Sequence, residues 1–173
     1  MSICYDAPMI TIEGEVKPIG YVFHTYFALK LDGKTIGSIS GKGFDSVDCS
    51  EFELMILADR FHFDFNMLTQ AHKANVINNQ TPFLILEEMQ IDLKCRGANL
   101  GIELIKQATK AFFDKLGKQA SFLMHPCPIG WPDKETRDEG QKALSSYYAK
   151  HLPIKRINKS PYFYFTVDNQ TAL

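Results

Sequence analysis

The chain has 173 residues, 45% of them apolar and 23% charged, with a net charge of −1. That length and balance fit one globular domain with its own core, and they argue against disorder other than at the ends and against a dedicated nucleic-acid binder. No apolar run approaches the roughly 20 residues of a membrane span, and the start Met1-Ser2-Ile3-Cys4-Tyr5-Asp6 lacks the pattern of a secretory signal.

Four cysteines, Cys4, Cys49, Cys95 and Cys127, share no C-x-x-C spacing. They read as reduced thiols of a cytoplasmic protein, with no metal site implied. Charge is distributed unevenly. Residues 1–90 carry 6 basic and 12 acidic side chains, residues 91–173 carry 13 and 8. A basic half suits an anionic ligand and an acidic half a cationic one.

In chain order, Tyr21 to Ser40 predicts a hairpin. Tyr21, Phe23, Thr25, Phe27, Leu29 and Leu31 alternate along one strand face, Asp32-Gly33 supplies a tight turn, and Thr35–Ile39 returns. Gly33-Lys34-Thr35 is no nucleotide loop, since the glycine required upstream is missing. Ser50 and Glu53 have capping-box spacing. Behind them Leu54, Leu57, Ala58, Phe61, Phe65 and Leu68 predict a helix over about 51–75, broken near Phe63. Phe83–Leu93 predicts a strand interrupted by Glu87 and Glu88.

A turn, Lys94-Cys95-Arg96-Gly97-Ala98-Asn99-Leu100-Gly101, then leads into a helix ending near Gly117. Ala120–Met124 predicts a short buried strand, and His125–Pro132 a loop stiffened by prolines. Lys134–His151 predicts a helix, while Pro153–Ile157 and Tyr162–Val167 predict two closing strands. Strands alternating with helices from 83 onward argue for an α/β or α+β sheet containing a parallel pair.

The segment that carries chemistry is 91–101. A strand that turns tightly into a helix can aim several backbone N–H groups at one point beside the positive end of the helix dipole. Gly97 and Gly101 leave room for a phosphate, and Asn99 is placed to cap the helix. His125 is a candidate base, although a strand-end histidine bonded to backbone is the plainer reading. Cys95 and Cys127 lack the context of an activated nucleophile.

Ile91-Asp92-Leu93-Lys94-Cys95-Arg96-Gly97-Ala98-Asn99-Leu100-Gly101 resembles the signature of the GCN5-related N-acetyltransferase family: an aliphatic residue, four residues, then Arg/Gln-x-x-Gly-x-Gly/Ala. Asn99 stands where the family usually has glycine. Ala143–His151 resembles the family's late helix, with Tyr148 on the catalytic tyrosine position, Tyr147 one residue away, and Leu152-Pro153 in place of the usual Gly-Phe. His125-Pro126-Cys127-Pro128 resembles the Pro-x-Pro loop of some members.

The resemblance spans about 83–167. It divides one domain, 1–173, into a divergent first part, 1–82, and an acetyl-CoA-binding core. It implies an α+β acyl-CoA N-acyltransferase fold, a mixed twisted sheet flanked by helices, whose strand before Arg96 splays from the next. The donor acetyl-CoA would be held by Ile91, Leu93, Arg96, Gly97, Ala98, Asn99, Leu100 and Gly101, with pantetheine in the splay. Tyr148 would be the general acid and Glu87, or its neighbour Glu88, the base, with edge or cross-strand charge pairing the plainer reading of the two carboxylates. A small-molecule or peptide amine would be the acceptor, a homodimer the candidate assembly, and nucleic acid and membrane no partners. A catalytically silent acyl-CoA-binding protein on the same fold is the alternative.

Overall fold

A computed structural model describes residues 9–45, 47, 50–127 and 134–168. Cys4, Cys49 and Pro128–Pro132 therefore lie outside the described residues. The first strands, β1 (Ile10–Ile19), β2 (Val22–Leu31) and β3 (Lys34–Phe44), form an antiparallel meander. The β2–β3 turn is the expected Asp32-Gly33 pair, at φ 49° and 78°. Positive φ at both positions matches the twist of a hairpin.

Helices α1 (Glu51–Phe61) and α2 (Phe65–Lys73) follow. The break near Phe63 has a cause at each end. His62 ends α1 in the left-handed region at φ 58°. The Asp64 carboxylate starts α2 by accepting from the backbone N–H of Asn66 at 2.9 Å and of Met67 at 3.4 Å.

Strand β4 (Phe83–Ile91) is followed by a single 3-10 turn at Leu93–Cys95, then α3 (Leu100–Leu116), β5 (Ala120–Met124), α4 (Lys134–His151), β6 (Lys155–Arg156) and β7 (Phe163–Val167). The strands make one sheet of order β1-β2-β3-β4-β5-β7-β6. All pairs are antiparallel except β4–β5. This is the expected α+β architecture, and its first part supplies three of the strands. No helix of the described residues is long and apolar enough to cross a membrane.

Alternation along β4 divides the core. Phe83 and Ile85 join Phe44, Leu54, Leu57, Leu68 and Ile77 beneath α1 and α2. Leu84 joins Leu29, Ile39, Ile105, Ala108, Phe112 and Phe122 beneath α3, together with Tyr148 of α4 and Leu152 just after it. Gly43 of β3 is required where it stands, because a Cβ there would collide with the Phe112 ring.

Several expectations need correction. The strand expected over Phe83–Leu93 ends at Ile91. The strand expected over Pro153–Ile157 is only Lys155–Arg156, because Pro153 has no N–H to give a ladder. The return strand of the hairpin extends to Phe44. β1 had no counterpart among the predicted elements. It lies on the sheet edge, with only Ile12 and Val16 partly buried against the core and Gly14 between them, so its alternation is faint.

Candidate functional site

β4 and β5 are paired only over Phe83–Leu86 with Ser121–Met124. Beyond Leu86, β4 stays paired to β3 as far as Ile91 opposite Gly37 but has no β5 partner. β5 ends at Met124, so the parallel pairing stops at an apex formed by Leu86 and Met124, and beyond it the β5 side of β4 carries no strand among the described residues. The mouth of the gap left beside β4 lies toward the turn that enters α3.

A β-bulge marks the apex. Ser40 faces Glu88 and Gly41 faces Leu86, so Glu87 is the extra residue. Strict alternation would put Glu87 on the face of Ile91, and the bulge separates them. Met89 and Ile91 pack with the α3 side. The Glu87 carboxylate instead pairs with Lys42, whose ammonium lies 5.4 Å from the Phe63 ring centre on the α1–α2 side. A bulge adds one residue and so exchanges the faces of everything after it. The Glu88 carboxylate accepts from the Gln90 side chain two residues on.

At the mouth, Gly97 adopts φ 97° and Asn99 φ 58°. These left-handed positions fold the chain from the 3-10 turn into α3. None of the N–H groups of Gly97, Ala98, Asn99, Leu100 and Gly101 donates to an acceptor among the described residues, and all five residues have solvent access. The first α3 bonds run from Ile102 and Glu103 N–H to the Asn99 carbonyl. A row of unpaired N–H groups at the head of a 17-residue helix is the kind of arrangement that can hold an anion.

Arg96 stands beside this row, its Nε donating to the Ile91 carbonyl at 3.0 Å and bracing the end of β4. Gly101 brings α3 close to β4, since a Cβ there would lie 3.1 Å from the Met89 methyl. Leu93 is 77% exposed, directly after the open part of β4.

The expectation that Asn99 caps the helix with its side chain is not met. Its Oδ1 is taken by the Tyr147 hydroxyl, which donates at 2.9 Å. Asn99 is among the few non-glycine types that enter the left-handed region readily, so it keeps a glycine-like backbone while adding a polar handle. Tyr147 also packs against Tyr148 and His151, at 5.6 and 5.0 Å between ring centres.

Tyr148 is 7% exposed, and its pKa is pushed up to about 12, first by burial and then by the neighbouring Tyr147. It holds its proton at any physiological pH. Burial alone raises Tyr147.

On the α1–α2 side, past the end of β5, His125 meets the Tyr162 ring edge-on at 5.2 Å. The Tyr162 hydroxyl donates to Asp64 Oδ2 at 2.5 Å. His125 remains open to solvent, yet partial burial lowers its pKa. The Asp64 carboxylate opposes that shift and Arg137 reinforces it. The expected backbone bond of His125 is absent among the described residues; the ring rests on an aromatic instead. Cys95 and Cys127 are both partly buried.

Thus the turn residues and Ile91 gather at the mouth, Glu87 sits at the apex on the opposite face, and Tyr148 lies in the α3-side core. The Asn99–Tyr147 bond was missed by the sequence reading, whereas the cross-strand charge pairing offered for Glu87 is met by Lys42, a partner the sequence did not name. The only available signals were a non-glycine residue in a glycine slot and a lysine between Gly41 and Gly43.

No protein-family model matches the chain, and no curated protein matches it. Among solved structures, the chain is similar to an apo mutant of agmatine N-acetyltransferase (TM-score 0.45, 14% identity, covering 83% of this chain and 75% of that one). It is also similar to Arabidopsis thaliana NAA60 in complex with acetyl-CoA (TM-score 0.46, 11% identity, covering 94% and 100%). A third is a Drosophila melanogaster polyamine N-acetyltransferase (TM-score 0.42, 13% identity, covering 83% and 74%). These are likenesses at low identity, and the description of the site rests on its own geometry.

Proposed function

We propose that this chain is an acyltransferase that moves the acetyl group of acetyl-CoA to an acceptor amine by direct attack. The observation that carries the reading is the row of free N–H groups from Gly97 to Gly101, set at the mouth of the gap beside β4. The row suits a pyrophosphate, with Arg96 adding charge. The gap suits an extended pantetheine running beside the backbone of Ile91 and Leu93 toward the apex.

Glu87 then takes the proton that the acceptor ammonium must lose, and Tyr148 donates to the departing thiolate. The enzyme supplies mainly orientation. Titration calorimetry with acetyl-CoA and CoA tests the binding site: wild type binds both and Gly101→Glu binds neither. Equal binding by the folded Gly101→Glu variant would place the donor elsewhere.

A second reading, a silent acyl-CoA-binding protein, draws on the ion pair that already engages Glu87 and on the burial of Tyr148. Thiol release from acetyl-CoA across an amine panel separates the two.

A further inference from the structure

The anion turn and α3 lie on one face of the sheet, so a donor threaded through the gap presents its thioester near the apex, toward the other face. Lys42 waits on that face. It stands opposite Ile85 on β3, and its Nζ lies 2.6 Å from Glu87 Oε1 at the bulge. Among the described residues Nζ also meets the Phe61 carbonyl at 3.5 Å and the Phe63 ring. Carboxylate, carbonyl oxygen and aromatic face are the groups that hold a primary ammonium. The Lys42 side chain is 23% exposed, so this is a covered position rather than a loose surface pair.

We propose that Lys42 is itself an acetyl acceptor, so that the protein acetylates its own β3 lysine from acetyl-CoA. The inference rests on the acyltransferase reading above. The chain already places a primary amine in hydrogen-bond contact with a carboxylate at the apex, which is the arrangement an external amine would have to reach by diffusion. The Glu87 carboxylate takes one proton from the ammonium. The freed Nζ lone pair attacks the thioester carbonyl carbon, forming the C–N bond. The tetrahedral intermediate collapses with cleavage of the C–S bond, and the second nitrogen proton ends on the thiolate, giving an amide and CoA. No oxidant or metal enters the balance. The ordinary alternative is a structural ion pair, and the two differ in what happens when the donor is added.

The test incubates the full chain with acetyl-CoA and follows each lysine by peptide mapping. Lys42 should gain one acetyl group at a rate independent of protein concentration, well ahead of exposed lysines such as Lys110. Glu87→Gln should slow Lys42 labelling by roughly 10²-fold or more, leaving the background on Lys110 unchanged. Lys42→Arg should keep the charge and remove the fast phase. If calorimetry shows acetyl-CoA bound while Lys42 is labelled no faster than Lys110, the proposal is overturned and the acyltransferase reading stands. If acetyl-CoA does not bind, both fall together.

Discussion

The Tyr147 hydroxyl donates to Asn99 Oδ1 at 2.9 Å, tying the last turns of α4 to the head of α3 across 48 residues of chain. Asn99 thereby serves the anion turn twice, by its left-handed backbone and by its side chain. Replacing it separates the two roles. Asn99→Gly keeps the backbone accessible and loses only the bond, so stability should fall by about 0.5–1.5 kcal/mol. Asn99→Val should cost a further ~1–2 kcal/mol for a β-branched residue at positive φ. Chemical denaturation of both variants measures the difference, and acetyl-CoA affinity should follow the backbone, with Gly close to wild type and Val weaker.

The two adjacent tyrosines should separate kinetically. Tyr148→Phe keeps the ring and removes the hydroxyl, so kcat should fall by roughly 10²–10⁴-fold with donor affinity nearly unchanged. Tyr147→Phe should instead leave kcat and donor affinity close to wild type and, like Asn99→Gly, cost only the stability of the bond between its hydroxyl and Asn99. Steady-state kinetics beside calorimetry will show the split. A collapse of kcat in Tyr147→Phe alone would exchange the two assignments.

Tyr148 also makes stability depend on pH at the alkaline end. The folded pKa of about 12 exceeds the ordinary 10.0, so between these values the native state holds a proton that the unfolded chain releases. The stabilisation is complete below about pH 10 and is lost as pH climbs toward 12, amounting to about 2–3 kcal/mol. Urea midpoints across that range should fall more steeply for wild type than for Tyr148→Phe.

At the turn, Arg96→Ala should weaken acetyl-CoA binding by about 1–3 kcal/mol through loss of a charge-assisted contact. The loss should shrink for truncated donors that lack the pyrophosphate, such as acetyl-pantetheine. An equal loss for pantetheine thioesters alone would mean that Arg96 acts only by bracing β4 through the Ile91 carbonyl.

The acidic balance of residues 1–90, with 12 carboxylates against 6 basic groups, should draw a cationic acceptor over distance. Turnover with amines should then slow as ionic strength rises past the range where the screening length is about 10 Å. A rate constant indifferent to salt would remove long-range attraction from the account.

Strong periodic signals transferred well from sequence to structure. The apolar stripe of Leu104, Ile105, Ala108 and Phe112 defined α3, and the Asp32-Gly33 turn defined the β2–β3 hairpin. The turn at 96–101 was legible because glycine and asparagine mark unusual backbone. The faces of Glu87 and Ile91 were not legible, since a bulge depends on how β3 is spaced against β4 and leaves no mark in β4 alone. The Asn99–Tyr147 and Lys42–Glu87 contacts join residues 48 and 45 positions apart, and such pairings follow from tertiary packing rather than local pattern.

The edge strand β1 has a consequence for how the chain behaves in a crowd of its own copies. One side of Ile10–Ile19 is paired to β2 and the other carries no strand among the described residues. An open ladder edge is a template for aggregation. Here it carries Glu13, Glu15 and Lys17, with Gly14 breaking the β-prone run and Pro18 lacking an N–H. The features that hid β1 from a periodicity search are the ones that keep neighbouring molecules from zipping onto it.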